Sequence, residues 1–355
     1  MKIKEIDQPS LAQIKLEIQA SKAELSLAQN ILEKMDVSSF VLEDKLLACL
    51  TIYELISFRD HLPKNFIQEK NQCTNIYENN QIIWQGHNFK FDLTQKPIIY
   101  SIINCTPDSF YDGRDDITSK SILNKIEEDL NYGASVFEFG GKSTRPGFKD
   151  VAVEDEWARI SGIISDVRRA FPEITLAVDA DNSYVMKHAL EAGVDIINDV
   201  DGFNTGDKLE VLKEYKPAIL TMYNNNYFPK QEDVKASMYD YFADSLKTFE
   251  SCGLLSENIA IDPGIGYSYQ TDPWEDMERI KSMKKLTRLK LPIMIALSMK
   301  SIMGKLYNID LEDRLTASLL LESLMVQDGG RILRVHDAKA TRQMLDIIQS
   351  HSVSS

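Results

Sequence analysis

From about residue 97 onward, short apolar runs rich in β-branched residues alternate with longer stretches in which apolar residues recur every three or four positions. Eight short runs occur, at residues 97–103, 135–139, 174–178, 195–197, 218–222, 258–261, 293–297 and 331–335. Continuous apolar runs are typical of buried parallel strands, and the longer spacing is typical of helices packed on them. Eight strands that alternate with helices predict a closed (β/α)8 TIM barrel, with an open doubly wound sheet as the alternative.

The N-terminal part of the chain breaks this rhythm. A short strand is predicted at residues 1–6, helices at 11–35 and 42–58, and a hairpin at 77–92 that turns about Asn79-Asn80 and Gly86. The chain is therefore divided into an α/β extension of unknown role at residues 1–87, a barrel at 88–350 and a tail at 351–355.

The charge and cysteine content narrows the classes of partner and compartment. Lys and Arg number 40 against 54 Asp and Glu, a formal net charge of −14, which argues against nucleic acid or an anionic membrane as the main partner. The 4 cysteines are widely spaced and form no C-x-x-C pair. Residues Met1 to Asp7 alternate Lys with Ile and lack the apolar core of a signal peptide, and no run reaches the roughly 18 residues that a membrane span needs. We therefore expect a cytoplasmic protein with reduced thiols.

Polar motifs lie where the predicted strands end, which is where a barrel of this kind places its active site. They are Asn104 to Phe110, Ser143 to Gly147, Asp179, Asn198-Asp199, Asp262 to Tyr267, Ser298 to Ser301 and Arg334 to Asp337. Each alone has a structural explanation, such as a helix cap or a turn. Because all of them are predicted to share one rim, together they indicate a functional site.

The side chains of these motifs divide into two kinds of chemistry. One set suits the edge of a flat, amide-bearing heterocycle. It consists of two carboxylates that accept hydrogen bonds, one amide and one ammonium group, supplied by Asp179, Asp262, Asn198 and Lys300. Cationic donors suit phosphate or carboxylate, and these are Arg145, Arg334 and His336. The combination predicts a phosphorylated heterocyclic substrate. Asn104 would suit a hydrated Mg²⁺ that takes most of its ligands from water and a diphosphate.

These motifs resemble those of the dihydropteroate synthases of folate biosynthesis. NCTPDSF, GGKSTRPG, VDA, EAGVDIINDVDG, DPGIGY, SMKS and LRVHD occur in the family's order over about residues 88–348. The resemblance implies a (β/α) barrel enzyme that joins 6-hydroxymethyl-7,8-dihydropterin diphosphate to 4-aminobenzoate and releases diphosphate, with Mg²⁺. It also implies a homodimer and a sulfonamide target.

The resemblance assigns roles to individual residues. It implies pterin contacts from Asp179, Asn198, Asp262 and Lys300. It implies diphosphate contacts from Asn104, Arg334 and His336, with Asn104 as the magnesium ligand. It implies an aminobenzoate pocket of Thr144, Arg145, Pro146, Lys300 and Ser301. The implied mechanism is dissociative, so Asn104, Lys300, Arg334 and His336 are catalytic by stabilising charge, and no general base is nominated.

The chain also departs from the family pattern around these motifs. The departures are Glu138 for Asp, Lys142 for Glu, Ala180 for Thr, Tyr223 for His, Tyr269 for Lys, Ala296 for Gly and Met299 for Arg. They leave open whether activity and sulfonamide sensitivity are altered. The alternatives are therefore a catalytically impaired paralogue that acts as a pterin-binding or regulatory subunit, and a pterin-binding methyltransferase domain.

Overall fold

The computed structural model describes residues 1–10, 13–104, 118–142, 151–224, 232–268, 270 and 272–353. The N-terminal extension is a four-stranded antiparallel sheet on which three helices pack around a core of their own. The strands are β1 Lys2–Ser10, β2 Gln13–Gln19, β3 Ser39–Leu42 and β4 Lys45–Leu50, in the order β1-β2-β4-β3. The helices are α1 Lys22–Lys34, α2 Ile52–His61 and α3 Ile67–Asn79.

The two helices predicted for the extension, at 11–35 and 42–58, are wrong in their first halves. Both of those halves contain strands, β2 and β4, and only the second halves are helical. Ile14, Leu16 and Ile18 are buried at every second position, which is the period of a strand and not of a helix. Pairing of β2 with both β1 and β4 satisfies its backbone, and the helices that pack on the sheet bury this alternating face.

The predicted hairpin is confirmed only in its second part. The strands β5 Ile83–Gln85 and β6 Lys90–Asp92 pair antiparallel, whereas Tyr77–Asn79 is the end of α3. Trp84 of this hairpin is fully buried among inward-facing apolar side chains of the barrel that follows. The hairpin therefore fills one end of the barrel.

The remaining strands and helices alternate as predicted. The strands are β7 Ile98–Asn104, β8 Ala134–Gly140, β9 Thr175–Asp179, β10 Ile196–Asp199, β11 Ala218–Met222, β12 Ile259–Asp262, β13 Met294–Ile295 and β14 Ile332–Val335. The helices are α4 Ser119–Asn131, α5 Val153–Ala170, α6 Ser183–Glu191, α7 Gly206–Tyr215, α8 Val234–Ser251, α9 Pro273–Ile280, α10 Met283–Leu286, α11 Ile302–Tyr307, α12 Arg314–Gln327 and α13 Ala338–Val353.

Parallel pairing joins the eight strands into one sheet in the order β12-β11-β10-β9-β8-β7-β14-β13. A parallel bridge between Ile261 of β12 and Ile293, just before β13, brings the two edges of this sheet together. The (β/α)8 barrel predicted from the sequence is confirmed. The larger apolar cluster lies between strands and helices, and a smaller one fills the interior beside the hairpin.

The extension contacts the amino-terminal end of the barrel. Lys290, which precedes β13, donates to the Asn79 carbonyl oxygen at 2.9 Å. The Tyr53 hydroxyl group donates to the carbonyl oxygen of Gln95, which precedes β7, at 3.0 Å. The predicted polar rim lies at the opposite end of the strands.

Within the described part of the chain, no helix combines the length and apolar character that crossing a membrane requires.

Candidate active site

The carboxyl-terminal ends of the strands bring the predicted pterin and diphosphate residues onto one rim. Asp179 ends β9 and Asp262 ends β12, while Asn198 lies in β10 directly beside Asp179 in the strand register. Arg334 lies in β14, and His336 follows that strand. Parallel strands of a barrel all end on the same face, so these five side chains surround one opening.

Glu138 is the centre of a hydrogen-bond network inside this rim. Its carboxylate is almost fully buried in β8. The Tyr100 hydroxyl group donates to Oε2 at 2.7 Å, and the Asn198 amide donates to the same oxygen at 2.8 Å. Arg334 donates to Oε1 through Nε at 2.8 Å and also through Nη2. Because the Asn198 amide nitrogen is bound to Glu138, its oxygen is turned away from that carboxylate.

Arg334 joins a second carboxylate to this network. Its Nη2 lies 3.2 Å from Asp179 Oδ2. Burial, followed by the nearby Glu138 charge, raises the pKa of Asp179, although Arg334 opposes the shift. Burial acts to lower the pKa of Arg334, but the carboxylates of Glu138 and Asp179 raise it overall. The site therefore holds a permanent cation bonded to two acidic side chains, Glu138 and Asp179.

Asp262 and Lys300 form the second charged part of the rim. Asp262 Oδ1 accepts the backbone N–H of Gly264 at 2.7 Å, and burial raises the pKa of this carboxyl group. Burial lowers the pKa of Lys300 to about 8, and the Asp262 charge opposes the shift. Lys300 Nζ donates to the carbonyl oxygen of Ile265 and lies 5.3 Å from the centroid of the Tyr267 ring. The loop after β12 thus touches both charged groups.

The hydroxyl group of Ser298 orients His336. Ser298 Oγ accepts the backbone N–H of His336 at 3.4 Å and lies 3.2 Å from Nδ1 of the same residue. Since the hydroxyl group already accepts one bond, its own hydrogen can point to Nδ1. This arrangement favours the imidazole tautomer that carries its hydrogen on Nε2, a donor suited to phosphate.

The predicted aminobenzoate pocket is described only in part. Thr144, Arg145 and Pro146 lie outside the described residues, and so does the side chain of Asn104, whose backbone ends β7. Ser301 is exposed and directly precedes α11. No cluster of three or more His, Cys, Asp or Glu residues that could hold a metal ion occurs in the described ranges.

Lys142, the last described residue before the gap at 143–150, forms an ion pair. Its Nζ lies 3.0 Å from Asp181 Oδ2, two residues beyond Asp179. Next to it, Arg159 donates to the Gly141 carbonyl oxygen at 3.0 Å. Burial raises the pKa of Glu156, which packs against Gly141, to about 7. The positive charge of Lys142 is therefore matched by a carboxylate from the next strand end.

The other departures that the structure describes are buried, and one of them, Met299, has an unusual backbone conformation. Tyr269 lies outside the described residues. Ala180 is buried directly after β9, and Ala296 is buried in the interior cluster of the barrel. Tyr223 is buried after β11, with its ring against Tyr241. Met299 adopts a positive φ of 61°, and its N–H donates to the hydroxyl group of Ser318 in α12.

Sequence reasoning noted Glu138 only as a departure and missed its role, and it missed Tyr100 entirely. A signal was present, because Glu138 interrupts the apolar run Phe137 to Phe139 in the middle of a strand. A carboxylate in a buried strand must find donors, so this position could have been added to the predicted site.

Comparisons with known proteins identify relatives of this chain. A family model described as pterin binding enzyme matches residues 100–336. A dihydropteroate synthase of Streptococcus pyogenes is 30% identical over 262 residues, covering 73% of this chain and 97% of the relative. A dihydropteroate synthase of Escherichia coli is 28% identical over 263 residues, covering 72% and 91% of the two chains.

Solved structures give the same result. The dihydropteroate synthase of Xanthomonas albilineans with 4-aminobenzoic acid superposes with a TM-score of 0.70 at 27% identity. That match covers 77% of this chain and 98% of the other. The same enzyme in complex with 7,8-dihydropteroate gives a TM-score of 0.67 at 25% identity, covering 76% and 98%.

Proposed function

The chain belongs to the pterin-binding enzyme family, and on that premise we propose that it acts as a dihydropteroate synthase. The reaction joins 6-hydroxymethyl-7,8-dihydropterin diphosphate to 4-aminobenzoate and releases diphosphate. The observation that carries the proposal is the rim itself, where buried carboxylates and an amide lie beside Lys300, Arg334 and His336. Such a set recognises a polar heterocycle and an attached anion at the same time.

In the proposed complex, the pterin ring occupies the part of the rim lined by Asp179, Asn198, Asp262 and Lys300. The carboxyl groups accept from ring N–H and amino groups, and Lys300 donates to ring acceptors. Glu138 holds the Asn198 amide nitrogen at 2.8 Å, which leaves the amide oxygen as the group that faces the ring. Burial strengthens these bonds, because few waters compete for the same donors and acceptors.

The diphosphate group lies against Arg334 and His336 at the end of β14. Mg²⁺ would enter this part of the site together with the diphosphate, because the ion takes most of its ligands from phosphate and water. Asn104 would hold it through its amide oxygen, and the ion would neutralise charge on the diphosphate. The 4-aminobenzoate would contact Thr144, Arg145, Pro146, Lys300 and Ser301.

The chemistry that follows is the departure of diphosphate before the new bond forms. Arg334 and His336 stabilise the charge that develops on the leaving oxygen, which is the main contribution the protein makes. The neutral amine of 4-aminobenzoate then attacks the exocyclic carbon of the pterin. A strong base is not required, because the attacking amine loses its proton only after the bond has formed.

The test is release of diphosphate by the purified protein with both substrates and Mg²⁺, and with 4-aminobenzoate omitted. Release that depends on 4-aminobenzoate, with formation of 7,8-dihydropteroate, is expected. Tight binding of the dihydropterin without turnover would instead favour the pterin-binding or regulatory subunit.

We also propose that the protein is a homodimer in the cytoplasm. Exposed apolar side chains on neighbouring helices, Leu320 and Leu324 of α12 and Ile347 of α13, support a second copy as the partner of this face. Among the described cysteines, Cys49, Cys73 and Cys252 are free thiols, which supports a reducing compartment. Sedimentation of the wild type and of Leu324→Glu would test the dimer.

A further inference from the structure

The loop after β12, residues 263–267, contacts two groups assigned to the pterin. The Gly264 N–H donates to the Asp262 carboxylate at 2.7 Å, and Lys300 donates to the Ile265 carbonyl oxygen. A shift of this loop would therefore change the direction of the carboxylate and the reach of the ammonium group together. Whatever fixes the loop also fixes the spacing of these two groups.

Arg279 of α9 holds this loop from behind. Its guanidinium is fully buried and donates through Nη1 to the carbonyl oxygens of Pro263 at 3.1 Å and Gly264 at 2.5 Å. Nη1 also donates to the Tyr223 carbonyl oxygen after β11 at 3.2 Å, and Nη2 donates to that of Tyr267 at 3.2 Å. One side chain thus ties the end of β11 to both ends of the loop.

Two carboxylates of the same helix complete the arrangement. Glu275 Oε1 pairs with Arg279 Nη2 at 2.9 Å, and Asp276 Oδ1 accepts the Gly266 N–H at 2.8 Å. All three α9 side chains are buried, and charged residues are rarely buried this completely unless they are paired. Burial of charge is costly and is weak evidence for stabilisation, so its concentration behind one loop requires another explanation.

The loop backbone also packs closely against the residue that follows β11. Gly264 has a φ of 70°, and a Cβ atom there would collide with the Tyr223 carbonyl oxygen that Arg279 also binds. The guanidinium carbon lies over the Tyr223 ring, 5.0 Å from its centroid, which adds a cation–π contact to the hydrogen bonds. The loop and the end of β11 are therefore packed against each other through Arg279.

We propose that Arg279 is a positioning residue for the pterin site, holding the 263–267 loop so that Asp262 and Lys300 meet the same ring edge. The proposal rests on the proposed function, since that function assigns both groups to the pterin. Arg279 does not touch substrate and acts through the loop. Loss of its contacts should weaken recognition of the dihydropterin most, because Asp262 and Lys300 both serve it. Recognition of 4-aminobenzoate should weaken less, because only Lys300 of these two groups is assigned to that substrate as well.

The test compares Arg279→Lys with a control at a second carbonyl-binding arginine, Arg168→Lys. Arg168 also binds backbone carbonyl oxygens and a carboxylate, but at the other end of the barrel. It donates to the carbonyl oxygens of Ile174 at 2.8 Å and Gly193 at 2.6 Å and to the Asp195 carboxylate at 3.0 Å. Lysine keeps the charge in both variants but replaces the planar fork with a single ammonium group. Steady-state KM values for each substrate are measured at a temperature where melting curves show all proteins folded.

Arg279→Lys is expected to raise the KM for the dihydropterin diphosphate by about tenfold or more, since small misplacements of binding groups have effects of this size. The KM for 4-aminobenzoate should rise by a smaller factor, because only Lys300 of the two groups held by the loop is assigned to that substrate. Arg168→Lys should lower the melting temperature and leave both KM values unchanged. An Arg279→Lys enzyme that behaves like Arg168→Lys would overturn the proposal.

Two further measurements keep the proposal testable. If Arg279→Lys does not fold, Asp276→Ala removes one bond to the same loop and should raise the dihydropterin KM, while Asp276→Asn, which keeps an accepting oxygen, should restore it. Wild-type KM for Asp276→Ala would contradict the proposal. If the wild type releases no diphosphate, the proposed function fails separately. Calorimetric binding of the dihydropterin diphosphate to wild type and Arg279→Lys then decides the inference.

Discussion

The carboxylate of Glu138 sets the direction of three donors around the site, and Glu138→Gln tests this directly. Oε2 accepts from Tyr100 and Asn198, while Oε1 accepts from Arg334. Glutamine has nearly the same shape but only one accepting oxygen. If that oxygen stays on Arg334, the new NH2 group faces Asn198, whose amide must rotate to offer its own oxygen. Asn198 then presents a donor to the pterin where it had presented an acceptor.

The magnitude follows from the bonds that change. Hydrogen bonds to charged groups contribute about 1.5–3 kcal/mol each, and the neutral amide weakens the bonds to Arg334. Asp179, at 3.2 Å, remains as a partner of Arg334 and limits that loss. Reversal of the Asn198 amide costs a further bond to the ring. We expect transition-state stabilisation to weaken by about 2–4 kcal/mol, which lowers kcat/KM for the dihydropterin diphosphate by roughly thirtyfold to a thousandfold.

The assay is continuous diphosphate release with each substrate varied in turn, together with denaturant unfolding of each variant. Glu322→Gln is the matched control, because Glu322 is an equally buried carboxyl group on α12 that is not part of the proposed site. Burial raises its pKa to about 8, so it is largely neutral at pH 7, and its amide variant should retain wild-type kinetics. A Glu138→Gln enzyme with wild-type kcat/KM for the dihydropterin diphosphate would refute the reasoning.

Three further outcomes are expected. Arg334→Ala should lower kcat/KM in the same assay by about 2–5 kcal/mol, because it removes the cation beside the diphosphate and leaves Glu138 without its charged partner; retained activity would remove Arg334 from the scheme. Lys142→Glu should lower the free energy of unfolding by about 1 kcal/mol in urea, because it sets two carboxylates together, and Lys142→Glu/Asp181→Lys should restore it; no recovery would show that the pair does not interact. Glu322 keeps its proton up to about pH 8 when folded but loses it near 4.5 when unfolded, so it reduces stability progressively as pH rises across that window. Glu322→Gln should therefore raise the melting temperature relative to wild type more at pH 8 than at pH 5, and equal gains would contradict this pKa.

The sequence predicted the barrel because its signals are local. Each buried strand appears as a short apolar run, and each strand end carries a polar motif within a few residues, so Asp179, Asp262 and Arg334 could be placed on one rim. The same reasoning was wrong in the extension. Ile14, Leu16 and Ile18 lie in a short amphipathic stretch that local pattern alone did not separate from the helix after it.

Tertiary structure alone decided how the rim works. Arg334 meets Glu138 across 196 positions of sequence, and Asn198 meets it across 60, so no local pattern could pair them. The same holds for Arg279 of α9, whose partners include carbonyl oxygens that follow two different strands. Sequence by itself determined which chemical groups reach the rim, because strand period and turn chemistry are properties of neighbours along the chain. The closed barrel determined which of those groups share hydrogen bonds, because only its curvature brings distant strands within bonding distance.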